Sequence, residues 1–162
     1  MSALWWARKL KPRSLTCLDL WEGGDEVTWS WLESPGMNSL EGRFDHNIAA
    51  AQLPASLAFR KMKGPSHRSL AWLVSRVPQP HYDLIYIDGD HSPRGVLSDV
   101  VMAMHLLAPG GILILDDVLL SGVSEVISLF TETYSDLEQI PAKECPSVQA
   151  CFRKMEAVEE AS

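Results

Sequence analysis

The stretch Tyr82-Asp-Leu-Ile-Tyr-Ile-Asp-Gly-Asp-His91 decides the fold of this 162-residue chain. Residues 82–87 are mostly apolar, aromatic or β-branched, and polar and charged residues follow at once. Because apolar side chains occupy both faces, the pattern predicts a buried strand of a parallel sheet. Acidic residues at the end of such a strand lie in the crevice where open α/β sheets bind ligands.

A second stretch repeats this arrangement further along the chain. Residues 110–115 read Gly-Gly-Ile-Leu-Ile-Leu, and two aspartates follow them directly. Two neighbouring strands that both end in acids bring their carboxylates to one edge of the sheet. We therefore place the function at the edge formed by Asp88, Asp90, His91, Asp116 and Asp117.

The composition limits the class of protein. A chain of this length with 46% hydrophobic residues can build one core but hardly two. The net charge of −7 argues against nucleic acid or an anionic membrane as a partner. Because Cys17, Cys145 and Cys151 form no CxxC pair, we expect three reduced thiols in a cytoplasmic protein. The sequence shows no signal-peptide pattern and no apolar run that could span a bilayer.

Helices and strands are predicted to alternate along the chain. The pattern of apolar residues, caps and prolines predicts helices over residues 2–10, 39–53, from 66, from 92 and over 123–134, with strands over 14–18, 56–62, 82–87, 110–115 and 148–152. Residues 27–37 are predicted to be a loop or a short helix. This order predicts an α/β, three-layer sandwich with a mostly parallel sheet. We expect a single domain over residues 1–155 and a frayed, charged tail over 156–162.

Five segments together resemble a known family: DLWEGG (19–24), LEGRFDHNIA (40–49), KGPS (63–66), YDLIYIDGDHSPRGVLSDV (82–100) and LLAPGGILILDDV (106–118). They look like the class I S-adenosylmethionine-dependent methyltransferases, and are closest to the branch that reads "ID-x-WEG" early and "DLIYIDG-x-H" later. The resemblance implies a Rossmann-like methyltransferase fold and S-adenosylmethionine as the cofactor.

The resemblance also implies roles for individual residues around the cofactor. Asp19 follows the second family strand and would hold the ribose, while Gly64, Pro65 and Ser66 would line the adenine. Asp88, at the end of the fourth family strand, would face both cofactor and substrate. Trp21, two residues beyond Asp19, is a further candidate for cofactor contact.

One part of the family pattern is missing from this sequence. The family places a strand and a glycine-rich loop, of the kind "E-x-G-x-x-x-G", before the helix that Ser2-Ala3-Leu4-Trp5 resembles. The resemblance therefore implies an N-terminally truncated fold that lacks a mid-sheet strand. Glycines in that loop let the backbone approach the cofactor, so we expect weak S-adenosylmethionine binding.

The acidic residues suggest a metal-assisted reaction. Some metal-dependent O-methyltransferases use an acid after the fourth strand and an acidic pair after the fifth, and Asp88, Asp116 and Asp117 resemble that set. Carboxylate oxygens suit Mg²⁺. His91, three residues past Asp88, is a candidate general base, with Asp88 beside the reacting groups. The alternative is that these acids cap helices in solvent and that His91 is a surface histidine.

The leading hypothesis is an S-adenosylmethionine-dependent methyltransferase that O-methylates a small molecule, with help from Mg²⁺. A second hypothesis is an inactive, truncated remnant that acts as a binding or partner-dependent module. A third, a Mg²⁺-dependent receiver-like domain, fits poorly because it does not account for the WEG segment or for the PGG-strand-DD order. We expect a small-molecule substrate, a homodimer, and neither nucleic acid nor membrane as a partner.

Overall fold

The computed structural model describes residues 2–22, 39–76, 80–145 and 148–156. The predicted loop over residues 27–37 and nearly all of the charged tail lie outside them. The chain divides into two compact units, Met1–Pro65 and Ser66–Ser162, and each is described by itself. Both contain helices and parallel strands, so the mixed α/β class is confirmed. The single domain over residues 1–155 stays a prediction.

The first unit contains two helices and a pair of parallel strands. Its elements are α1 (Ser2–Leu10), β1 (Ser14–Asp19), α2 (Leu40–Ala50) and β2 (Ala58–Lys63). The two strands run in register from the pair Ser14 and Ala58 to the pair Asp19 and Lys63. Ser39 caps α2, because its hydroxyl accepts a hydrogen bond from the backbone N–H of Gly42 at 3.0 Å.

The second unit is built on a four-stranded sheet. Its elements are α3 (Ser66–Arg76), β3 (Tyr82–Ile87), α4 (Pro93–Leu106), β4 (Leu107–Leu115), α5 (Ser121–Thr133), β5 (Leu137–Gln139), a 3-10 helix (Ala142–Glu144) and β6 (Ala150–Lys154). The strand order is β3-β4-β6-β5. The predicted parallel pairing holds for β3 with β4, whereas β6 runs antiparallel to both β4 and β5.

The core of the second unit lies on one face of this sheet. Leu113 and Leu115 lie two residues apart on β4 and therefore on the same face of the sheet. Leu113 is paired with Phe152 of β6. These side chains pack against Val100 of α4 and Phe130 of α5, and all five are at most 1% exposed. Burial of such apolar side chains contributes about 1.5–3 kcal/mol each to folding. The core therefore fixes the end of β4, where the acidic pair follows.

The deciding strand, β3, forms at its predicted position but is less buried than expected. It is the edge strand of the four-stranded sheet, and its residues are half-buried except for the exposed Asp83. Within the part of the chain that the structure describes, β3 has a ladder partner, β4, on one side alone. An apolar run predicts a strand buried on both faces, but it does not show how many neighbours that strand has.

The predicted helix and strand positions are otherwise largely confirmed, with shifted boundaries. The strand predicted from Gly110 begins at Leu107, which pairs with Tyr82, and the register shifts before Leu84 pairs with Ile112. The short strand β5 and the 3-10 helix after it were not predicted, because neither has an apolar period. No helix of the described residues is long and apolar enough to cross a membrane.

The prediction of three reduced cysteines is wrong for two of them. Cys145 and Cys151 form a disulfide, with their Cα atoms 6.1 Å apart, and Cys17 is the free thiol. Cys145 directly follows the 3-10 helix, while Cys151 lies on β6. The turn into β6 brings the two together, which spacing along the sequence could not show. Burial, followed by the charge of Asp19, raises the pKa of Cys17 to about 11.

Candidate active site

The end of the parallel pair β3–β4 gathers three of the predicted site residues. Asp88 follows β3, Asp117 follows β4, and His91 lies in the loop that leads into α4. Nε2 of His91 is 3.3 Å from Oδ2 of Asp117 and 3.8 Å from Oδ1 of Asp88. The expected convergence of acids and histidine on one edge is therefore observed for Asp88, His91 and Asp117.

The His91 ring nitrogen is aimed into this cluster. Nε2 is buried and makes no aligned hydrogen bond within the described residues, although Asp117 is within ion-pair distance. One ligand atom from each of Asp88, His91 and Asp117 lies within 4.8 Å of the other two. Neighbouring ligands of a divalent cation are about 3 Å apart, given bonds of about 2.0–2.2 Å. Small side-chain movements would therefore let the three residues fit a metal ion.

The loop that carries His91 is held by its own polar residues. Oδ1 of Asp90 accepts the backbone N–H of Ser92 at 2.8 Å, and the Ser92 hydroxyl accepts the N–H of Gly95 at 3.1 Å. Pro93 then occupies the first turn of α4, as the sequence predicts. Asp90, expected at the functional edge, thus serves to build the turn that presents His91.

Asp116 is the predicted metal ligand that the structure leaves outside the cluster. Its Oδ2 accepts a hydrogen bond from the Tyr86 hydroxyl, and its Oδ1 accepts the backbone N–H of Asp117 at 3.0 Å. Asp117 itself adopts φ 54°, the left-handed region that aspartate tolerates better than most residues. The predicted set of Asp88, Asp116 and Asp117 as metal ligands stays a prediction, and the observed cluster contains His91 in place of Asp116.

Two further residues contact this edge and were missed from the sequence. Nε2 of Gln149, just before β6, donates to the Tyr86 hydroxyl at 3.4 Å. Burial, the bond to Asp116 and the charge of Asp88 raise the pKa of Tyr86 well above its usual range. Tyr86 lies two residues before Asp88 on β3, so period-two alternation could have placed both on one face.

Three predicted cofactor residues lie together at the end of the two-stranded sheet of the first unit. The carbonyl of Asp19 accepts the backbone N–H of Gly64 at 3.0 Å, and Oδ1 of Asp19 accepts the N–H of Trp21 at 2.8 Å. Gly64 has φ 144°, where a side chain would be strained. The prediction that Asp19 and Gly64 bind the cofactor is compatible with this shared edge and stays a prediction.

The Trp21 ring is buried among side chains of its own unit. It is 7% exposed and lies 5.0 Å from the ring of Phe44, measured between centroids. Nζ of Lys61 stands 4.7 Å above the indole and also pairs with Glu41 and Asp45. These contacts give the ring a packing role, and its contact with a cofactor stays a prediction.

Ser66, the fourth predicted cofactor residue, begins α3 in the second unit. Burial raises the pKa of the Asp99 carboxyl on α4, and the interaction with Ser66 opposes this shift without cancelling it. Asp99 is 3% exposed, and its Oδ1 has no partner among the described residues. Sequence analysis did not single out Asp99, because a single acidic residue in a predicted helix is expected to be exposed to solvent.

Comparison with solved structures shows which fold this is. Cofactor-bound Rv0187 from MTB is 17% identical, with a TM-score of 0.64 over 96% of this chain and 68% of that one. The O-methyltransferase TomG from Streptomyces achromogenes, in complex with SAM, is 14% identical, with a TM-score of 0.59 over 96% of this chain and 78% of that one. MycE methyltransferase of the mycinamycin pathway, in complex with Mg, SAH and mycinamycin VI, is 14% identical, with a TM-score of 0.55 over 96% of this chain and 49% of that one.

These likenesses define the class as a Rossmann-like α/β methyltransferase fold. The chain belongs to the family described as "Methyltransferase domain", whose model matches residues 1–118. A comparison with curated protein sequences gives no match. The chain spans between about half and four fifths of the length of the similar solved chains, from 49% of MycE to 80% of a chain from Klebsiella pneumoniae.

Proposed function

We propose that this methyltransferase domain transfers a methyl group from S-adenosylmethionine to a hydroxyl oxygen of a small molecule. The observation that carries the proposal is the buried Nε2 of His91, which lies between Asp88 and Asp117 without an aligned hydrogen bond among the described residues. A basic nitrogen held beside two carboxylates is suited to accept a proton. The complexes of TomG with SAM and of MycE with SAH support the choice of methyl donor.

His91 would act as the general base. Bound S-adenosylmethionine would supply an electrophilic methyl group, and its transfer would form a carbon–oxygen bond, break the carbon–sulfur bond and release S-adenosylhomocysteine. The hydroxyl proton passes to Nε2 of His91. Asp88 and Asp117 would lie beside the imidazolium that results, with carboxylate oxygens 3.8 Å and 3.3 Å from Nε2.

Asp88 and Asp117 would also hold a divalent cation. Such an ion lowers the pKa of a bound hydroxyl. Two carboxylates suit Mg²⁺ or Mn²⁺, whereas a site that used His91 as the third ligand would favour metals that bind imidazole. A cation that binds equally well to His91→Gln would support the role of His91 as base, whereas loss of binding in that variant would make His91 a ligand.

Transfer of a tritiated methyl group from S-adenosylmethionine tests the proposal. The assay uses a panel of small phenols and sugars as acceptors, with His91→Gln as the matched variant. We expect labelled product that depends on His91. If the chain neither binds S-adenosylmethionine nor labels any acceptor, the alternative function, an inactive remnant that acts as a partner-dependent module, is favoured. A homodimer, a cytoplasmic location and a small-molecule partner stay predictions.

A further inference from the structure

We infer that Tyr86 is a positioning residue that orients Asp116 and, through Asp116, holds Asp117 against His91. The inference rests on the proposed function, since it assigns roles within that site. It starts from one chain of contacts: the Tyr86 hydroxyl donates to Oδ2 of Asp116, whose Oδ1 accepts the backbone N–H of Asp117 at 3.0 Å. Asp117 in turn reaches His91, at 3.3 Å between Oδ2 and Nε2.

Both oxygens of Asp116 therefore have donors within the protein. Each carboxylate oxygen has two lone pairs, so these two hydrogen bonds fix the orientation of the Asp116 carboxylate while leaving further acceptor sites on it. Asp116 is thus placed to orient its neighbour Asp117. The cluster of potential ligands within the described residues contains Asp88, His91 and Asp117 and omits Asp116.

The backbone of Asp117 needs such support. Its φ of 54° lies in the left-handed region, which a residue other than glycine occupies only when its surroundings hold it there. The N–H of this same residue is the group bound to Asp116, so the Asp116 carboxylate stabilises the conformation directly. Tyr86, fixed on β3, anchors that carboxylate from the neighbouring strand.

A second anchor reaches Tyr86 from the segment before β6. Gln149 donates to the Tyr86 hydroxyl at 3.4 Å, and the carbonyl of Val148 accepts the N–H of Val118 at 3.1 Å. The segment that carries Asp116 and Asp117 is therefore hydrogen-bonded both to β3, through Tyr86, and to the segment before β6, through Val148. The Tyr86 hydroxyl contacts both Asp116 and Gln149.

The test compares Tyr86→Phe, Asp116→Asn and the double variant with the parent chain, first without metal. Nitrogen-15 NMR follows the ring nitrogens of His91, assigned with His91→Gln, and the amide of Asp117. We expect Tyr86→Phe and Asp116→Asn to shift the same signals, and the double variant to resemble either single one. Tyr82→Phe, which removes a hydroxyl four residues earlier on β3, is the control and leaves these signals unchanged.

Titration with Mn²⁺ provides the second measurement. Loss of a hydrogen bond to a charged group corresponds to about a tenfold change in an equilibrium constant. We therefore expect Tyr86→Phe and Asp116→Asn each to weaken Mn²⁺ binding about tenfold. The double variant should also bind about tenfold more weakly than the parent, because both changes remove the same contact. Asp117→Ala should remove binding.

Two results would overturn the inference. One is that Tyr86→Phe leaves the signals of the His91 ring nitrogens and of the Asp117 amide unchanged. The other is loss of Mn²⁺ binding in Asp116→Asn with normal binding in Tyr86→Phe, which would make Asp116 a direct ligand. If the parent chain binds no Mn²⁺, the metal part of the proposed function fails, while the metal-free spectra still decide the role of Tyr86.

Discussion

Gly122 of α5 packs directly against the backbone of His91. A β-carbon added at Gly122 would overlap the carbonyl oxygen of His91 and come within 3.0 Å of Cδ of Pro93. The first turn of α5 thus supports the loop that presents the candidate base. Only a residue without a side chain fits at position 122. Gly122 lies within a helix, where any residue can adopt the backbone conformation, so glycine is needed here for the close approach of the His91 loop.

Gly122→Ala should therefore destabilise the protein. Overpacking typically costs about 1–3 kcal/mol, and the added methyl group would push the His91 loop away from Asp117. Urea denaturation measures the loss. Gly42→Ala, also within a helix, is the comparison, and we expect a smaller loss there, because the better helix propensity of alanine partly offsets the 3.2 Å contact of its β-carbon with the Ser39 hydroxyl that caps α2. Equal stability of Gly122→Ala and the parent would contradict this packing.

Replacement of His91 should affect turnover more than binding. His91→Ala removes the nitrogen that accepts the proton, and loss of an acid–base group typically lowers kcat by about 10²–10⁴-fold. The affinity for S-adenosylmethionine should stay nearly the same, because the assigned role is in proton transfer. Single-turnover kinetics and calorimetry separate the two effects. An equal fall in affinity would indicate a structural role for His91.

A divalent cation should stabilise the folded chain. Binding to the native state alone raises the melting temperature by mass action, so Mg²⁺ or Mn²⁺ should shift the melting curve upward. Asp117→Ala should abolish the shift. Glu125→Gln, an equal change of charge at an exposed position of α5, should retain it. A parent protein without any shift would remove the metal from the mechanism.

The cysteines can be counted by thiol labelling. The unfolded chain without reductant should expose one thiol, Cys17, and with reductant all three. In the native protein Cys17 should react slowly at neutral pH, because its pKa of about 11 leaves little thiolate. Three reactive thiols before reduction would mean that Cys145 and Cys151 are not bonded.

Asp99 should make stability depend on pH. Burial raises the pKa of this carboxyl in the folded state, so the protonated form favours folding. Its contribution is fully present below the unfolded value of about 3.9 and is lost as pH rises through the higher folded pKa. The stability of Asp99→Asn relative to the parent should therefore fall as the solution is acidified from neutral pH. A difference that does not vary with pH would show that Asp99 has an ordinary pKa.

Much of this site could be predicted from the sequence because strands and their ends have strong local signals. The apolar run before Asp88 and the Gly-Gly-strand before Asp116 and Asp117 were enough to place the acids at one edge. The structure confirms both strands and the capping role of Ser92.

The details of the edge could not be predicted, because they depend on register and on loop paths. The bond between Tyr86 and Asp116 requires that Tyr86 pair beside Ile114, which no local pattern reveals. The disulfide depends on the turn into β6. Asp99 could not be recognised as buried without the position of α3 beside α4.

The antiparallel pairing of β6 with β4 has a consequence for synthesis of the chain. Domains fold as units while the chain emerges at about 5–20 residues per second, N-terminal part first. β4 therefore leaves the ribosome well before residues 150–154. Until β6 follows, the backbone N–H and C=O groups of residues 112–115 that later pair with β6 have no partner strand. An unpaired strand edge recruits other strands. During that interval the nascent protein offers chaperones, or neighbouring nascent chains, the edge that β6 later closes.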